Sequence, residues 1–157
     1  MKKSLAIVLE WIRPAGIGLV YFLAEYLRTD PISKFHLLGP IVVVITSGSV
    51  AFESLVLGEA SSEKIGYRSD RPYQTQSGLS NLATALTALL VFVLDWGRYA
   101  DATVVIVMLL FLTLSAVNHA VTAIRDRNWK PANLMRPLMS LLLAGVLLPP
   151  MIKALTQ

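Results

Sequence analysis

The sequence predicts an all-α polytopic membrane bundle of about five transmembrane helices, organised as one integral membrane domain over 1–157. Three observations carry that expectation. Hydrophobic residues make up 55% of the 157 and charged residues only 15%, with a mean hydropathy of +0.61, well outside ordinary globular usage. Several apolar runs approach the ~20 residues needed to cross a bilayer. Those runs are apolar nearly all round, whereas a soluble helix buries one stripe.

The first element is Leu5–Leu27, long enough to span, with Glu10 and Arg13 one turn apart and able to pair inside it. The opening "MKKSLAIVLEWIRPAG" begins like a signal peptide, but Glu10 and Arg13 interrupt its apolar region and no A-x-A site follows. An alternative is an interfacial helix to Arg13, followed by a short span from Pro14, leaving four full spans. One continuous span is the favoured reading. The second span, Leu37–Leu57, holds a single ionisable residue, Glu53. "SDRP" then reads as a turn, with Pro72 tolerated in the first turn of the next helix. The third span, Thr75–Leu94, has no ionisable residue, and the fourth, Ala102–Ile124, has only His119. Leu138–Ile152 is uncharged, but it is short and broken near its end by Pro149 and Pro150.

Charge predicts the orientation. With five spans, Lys2, Lys3, Lys64, Arg68, Arg71, Arg125, Arg127, Lys130 and Arg136 share one side, against Arg28, Lys34, Arg98 and Lys153. The positive-inside rule places the richer side in the cytoplasm of a cell (inner) membrane protein. The 58–74 and 125–136 segments stay together even if the first segment does not cross. The basic pI near 9.6 reflects this distribution and not a patch for nucleic acid.

At 100° per residue the polar side chains fall on faces. Thr46, Ser49 and Glu53 share one face, with Gln74, Ser77, Gly78 and Asn81 on another and Ser115, Asn118, His119 and Thr122 on a third. Glu53 lies about 6 Å inside its span, Asn81 about 10 Å beyond Gln74, and His119 about 9 Å before Arg125. All belong to the cytoplasmic half, while Ile41–Ile45, Leu89–Leu94 and Val104–Leu112 keep the outer half apolar. The outer rim carries Glu25, Arg28, Asp95, Arg98 and Asp101, suited to short-loop pairing. The pattern predicts a polar pocket open to the cytoplasm, with Glu53, Arg68, Arg71, Gln74, Asn81, Asn118, His119 and Arg125 as candidate ligand-binding residues.

Each has a structural alternative. Glu53 can pair with Arg13 or a loop arginine, Asn81 and Asn118 can be interhelical hydrogen-bond glue, and His119 can bond Ser115. Arg68–Asp70–Arg71 and Arg125–Asp126–Arg127 suit a carboxylate, a phosphate or lipid headgroups, or a mutual Arg–Asp lattice. With no cysteine there is no disulfide or thiolate site. His36 lies on the predicted outer side, away from His119, and no His-x-x-Glu-His spacing occurs, so no metal is expected. No G-x-S-x-G elbow or phosphate-binding glycine loop appears, and no cofactor is implied.

"IGYRSDRPYQTQSGLSNLA" resembles a family of uncharacterised small multi-spanning membrane proteins of bacteria and archaea. Ile65, Gly66, Pro72, Gln74, Gly78, Asn81, Leu82 and Ala83 match its pattern, with Tyr67 and Tyr73 standing for its aromatics. In "VNHAVTAIRDRNWKPAN", His119, Asn128, Pro131 and Asn133 match its histidine-bearing helix end and following loop. Gln76 stands at the family's acidic position and Asn118 replaces its glycine. The resemblance implies one shared fold and no established activity.

Three function classes follow. The chain binds membrane lipid or a small polar or anionic ligand, as an accessory subunit or alone. Or it is a small proton- or ion-coupled transporter using Glu53 and His119, which with five spans calls for a homo-oligomer. Or it is an intramembrane lipid-modifying enzyme with Glu53 or His119 as general base. The apolar outer half favours binding over conduction, and the missing nucleophile and metal signatures weigh against catalysis.

Overall fold

The computed structural model describes residues 2–157. The side chains of Lys2 and Lys3, counted above toward orientation, lie outside the described residues. The elements are α1 (Lys2–Leu27), α2 (Pro31–Phe52), a π-helical turn (Glu53–Leu57), α3 (Gly58–Ile65), α4 (Arg71–Val93), α5 (Arg98–Arg125) and α6 (Pro131–Leu155). No strand occurs among the described residues. Five helices are long and apolar enough to cross a membrane: Ser4–Leu27, Pro31–Ile65, Arg71–Val93, Arg98–Arg125 and Pro131–Leu155.

Local chemistry sets the helix starts. Asp30 accepts from the Ser33 amide at 2.8 Å and from its hydroxyl, with Pro31 in the first turn. Asp70 does the same for α4, accepting from the Tyr73 amide at 3.1 Å ahead of Pro72. At the end of α3, Gly66 takes φ +90°, so the Gly66 and Tyr67 amides both turn back to the Ser62 carbonyl at 2.9 Å. α1 runs unbroken through Pro14, which fits the continuous span and not the interfacial alternative.

Two boundaries differ from the sequence reading. Pro149 and Pro150 do not break the last span, because α6 continues to Leu155. Each proline keeps a helical φ and forfeits one backbone bond, toward Gly145 and Val146, on a stretch where Gly145 leaves open space. The start of the 58–74 segment is also helical, so the second span extends through the π-turn and α3 to Ile65.

α2 is the central element, packing against α1, α4, α5 and α6, and α5 packs on α6. Phe35, Leu38, Val42, Val43, Val91, Val105, Met108 and Leu147 form its fully buried apolar surroundings. All lie in the half of the bundle away from the α3–α4 and α5–α6 loops. Large apolar side chains cover the outside, and exposed aromatics mark both ends: Tyr73 and Trp129 at the loop end, Tyr26, Trp96 and Tyr99 at the other. That is the distribution of a helix bundle solvated by lipid.

The far rim is also tied. His36 Nδ1 lies 3.0 Å from Asp101 Oδ2, joining α2 to α5. Lys34 pairs with Glu25 at 2.6 Å, and Arg98 donates to the Ala154 carbonyl at 3.2 Å. Glu25, Asp95, Arg98 and Asp101 therefore find partners at this rim, although through Lys34 and His36 more than through the short loops.

Gly66→Ala is expected to destabilise the protein by about 1–2 kcal/mol from left-handed strain alone, and by more because a Cβ there would sit 2.5 Å from Asn128 Oδ1. Gly97→Ala, at φ +86° and ψ 170° in a region essentially restricted to glycine but with nothing within 4 Å of the new Cβ, should cost only its backbone strain, about 1–3 kcal/mol. Equilibrium unfolding in mixed detergent micelles compares the two.

Candidate functional site

Polar side chains gather at the loop end in two adjoining clusters. The first is an ionic network built on Glu53, which opens the π-turn and is 3% exposed. Arg13 Nη2 lies 2.8 Å from Glu53 Oε2, and Lys64 Nζ lies 3.1 Å from Oε1. Arg13 Nε also donates to Ser49 Oγ at 2.5 Å. Lys64 reaches Glu10 at 3.0 Å, and Arg136 Nη2 reaches the same Glu10 oxygen at 3.3 Å. Exposure rises along the chain of contacts from Glu53 to Glu10. Three cations share two carboxylates, so one positive charge is left over.

The π-turn gives Glu53 this setting. Widening the helix there re-aims its carbonyls, and Arg71 Nη2 donates to the Leu55 carbonyl at 3.1 Å. Gln74 Nε2 donates to Ser62 Oγ at 2.7 Å, fixing α4 to α3. Gly78 lets α4 close on the turn: a Cβ there would lie 2.6 Å from Leu55 Cγ.

The second cluster surrounds His119. Its Nδ1 donates to Asn133 Oδ1 at 2.7 Å and lies 2.9 Å from the Tyr67 hydroxyl, with the two rings stacked at 5.4 Å. Tyr67 donates on to Thr122 Oγ1 at 3.1 Å, and Thr122 donates to the His119 carbonyl at 3.0 Å. Asn133 Nδ2 donates to the carbonyls of His119 at 3.2 Å and Asn128 at 3.0 Å. Asn128 Nδ2 in turn holds the Ile65 carbonyl at 3.0 Å. This closed circuit fixes the α3–α4 loop against the α5–α6 loop. With Nδ1 donating, His119 Nε2 is left as an acceptor. Arg136, one turn beyond Asn133, stands within electrostatic reach of both His119 and Tyr67, so the two clusters adjoin.

Between the loops lies an open cleft of about 650 Å³, bounded by residues 66–69 and 126–130 together with Glu59 and Glu63. Arg68 and Arg127 face it with no carboxylate at ion-pair distance among the described residues, and Arg127 holds a left-handed φ of +51°. Lys130 is engaged, donating to the Glu63 carbonyl at 2.6 Å. Asp126 is engaged as well. The hydrogen-bonded Arg125 guanidinium, at 2.8 Å, holds its carboxyl below the usual carboxylate range.

The structure therefore sorts the sequence candidates. Glu53 sits inside the ionic network, paired with Arg13 as weighed and with Lys64 instead of a loop arginine. Glu10 and Arg13 do not pair with each other. His119 is the hub of the loop circuit, bonded to Asn133 and Tyr67 and not to Ser115. Arg71 and Gln74 hold the π-turn and α3, Arg125 is spent on Asp126, and Arg68 borders the cleft. Asn81 is buried and donates to the Ser77 carbonyl of its own helix at 2.9 Å, so it makes no interhelical bond through that amide. Asn118 is exposed on the outside of α5; adjacent residues are 100° apart, and His119 takes the inward position. Tyr67, Lys64, Asn133 and Arg136 join these clusters without having been candidates. The spacing of Asn133, Arg136 and Ser140 along one face of α6 was the available signal for the last two. Among the described residues no group of three or more His, Asp or Glu could hold a metal ion.

Fold and site together define a polytopic α-helical membrane protein with a polar, internally bonded loop end. The chain belongs to a family of unknown function, DUF6790, which matches residues 28–155. Comparison with curated proteins and with solved structures finds no match.

Glu53→Leu is expected to destabilise the bundle by about 3–5 kcal/mol by stranding Arg13. The double change Arg13→Met with Glu53→Leu should recover a good part of that loss. Detergent-micelle unfolding of the two single variants and the double variant gives the coupling energy; additive losses would contradict a coupled pair.

Proposed function

We propose that this protein is a binding or accessory subunit of the cell inner membrane. Its cytoplasm-facing cleft between the two basic loops takes a phosphate- or carboxylate-bearing group, either a lipid headgroup or a small anion. The observation that carries the reading is the pair Arg68 and Arg127, one from each loop, bordering one cleft with no carboxylate at ion-pair distance among the described residues. Guanidinium forks suit such oxyanions bidentately. Four features support it further. The circuit through Tyr67, His119, Asn128 and Asn133 preorganises both loops, which lowers the ordering cost of binding. Exposed Trp129 at the cleft edge is a residue type enriched at headgroup level. The ionic network deeper in the bundle adds its surplus positive charge from below. The close-packed apolar half beyond it supports binding over conduction.

Two experiments test the proposal. Flotation with vesicles containing phosphatidylglycerol, and calorimetry with inorganic phosphate, separate a headgroup from a free anion. In whichever arm binds, Arg68→Ala with Arg127→Ala is expected to weaken binding at least tenfold, since a hydrogen bond to a charged group contributes about 1.5–3 kcal/mol. Unchanged binding in the double variant rejects the site. Orientation is read separately, because the chain has no cysteine. Ser69→Cys should react with a membrane-impermeant thiol reagent only in inverted vesicles, and Thr29→Cys only in intact cells; the reverse pattern inverts the topology.

A further inference from the structure

A second opening lies on the flank of the bundle, away from the loop cleft. α1 and α6 both pack on α2 but not closely on each other. The Glu10–Arg136 contact at 3.3 Å is the one hydrogen bond or ion pair between them among the described residues. Along the other half of their length they leave a groove of about 790 Å³. Ile17 and Gly18 of α1 and Leu142 and Gly145 of α6 line its length. A Cβ added at Gly18 or Gly145 would meet nothing within 4 Å, so both glycines widen the space and neither packs a neighbouring helix close.

Charge enters the groove at one end. Glu25, Lys34 and Lys153 border it there. Glu25 is occupied by Lys34 at 2.6 Å, whereas the Lys153 ammonium has no partner among the described residues. An apolar trough at hydrocarbon depth, with one uncompensated cation at its headgroup end, complements an amphiphile with an apolar chain and an anionic head.

We infer that this groove binds an anionic phospholipid from the leaflet opposite the loop cleft, with one acyl chain between α1 and α6 and the phosphate at Lys153. The site shares no residue with the loop cleft, so either can fail without the other.

Native mass spectrometry of the full chain tests it, using added phosphatidylglycerol and phosphatidylcholine with the same acyl chains. The wild type is expected to retain phosphatidylglycerol preferentially, by about fivefold. Lys153→Ala should abolish the preference while leaving some retention of both lipids. Gly18→Leu with Gly145→Leu should fill the trough and remove both lipids, with the unfolding midpoint and oligomeric mass unchanged. Equal retention of the two lipids by the wild type overturns the inference, as does a preference that survives Lys153→Ala. A wild-type dimer that the glycine variant converts to monomer would also overturn it, by assigning the groove to a second copy of the chain. Should the glycine variant fail to fold, the Lys153→Ala comparison decides alone, because that exposed ammonium makes no hydrogen bond or ion pair among the described residues.

Discussion

A carboxylate buried where water cannot reach must be neutralised by side chains, and the loop end of this bundle is arranged around that requirement. Glu53 is held by Arg13 from α1 and Lys64 from α3, and Lys64 also reaches back to Glu10. The unpaired charge would cost several kcal/mol, so α1 and α3 are fixed in place relative to α2. Apolar contact alone would not do this, because between lipid-facing helices the tails compete on nearly equal terms. Polar pairing therefore sets the geometry of one end, and close packing sets the other.

That division explains why the loops are ordered without being packed. The α3–α4 and α5–α6 connections bury little apolar surface. They are held by backbone carbonyls: Asn128 and Lys130 reach the Ile65 and Glu63 carbonyls across the gap, and Asn133 holds the Asn128 carbonyl on its own side. The Asn128 amide serves two purposes, meeting the end of α3 at Ile65 and joining the two loops. His119 lies at the junction, so its ring orientation is set by both loops together.

Much of this was legible in the sequence. The five spans, the apolar half and the polar half follow from runs and faces, because lipid leaves few other ways to place such residues. The partners of the polar residues were less legible. Lys64 lies eleven residues after Glu53, three helical turns, but the spacing is informative only once the helix is known to continue past Gly58. Asn118 and His119 are indistinguishable by type and neighbourhood, and only packing decides which faces inward. Arg136 reads as a loop cation beside Pro137, yet α6 has already begun at Pro131, which carries Arg136 into the bundle. Short-range pattern reached Glu53, Gln74 and His119 but not Lys64, Tyr67, Asn133 or Arg136, whose places depend on long-range pairing.

The charge surplus of the network links its structural and functional readings. A purely structural staple would be expected to balance, since every uncompensated cation is costly in a low dielectric. Here the two carboxylates are shared among Arg13, Lys64 and Arg136, and Arg136 makes its single ionic contact at the longest distance of the set. The excess falls at the more exposed edge of the network, beside Tyr67 and His119 and beneath loops whose Arg68 and Arg127 have no carboxylate at ion-pair distance among the described residues. A cation left over at that edge is more than helix adhesion needs, since matched pairs would join the helices equally well. The proposed binding of an oxyanion at the cleft would give that surplus a use.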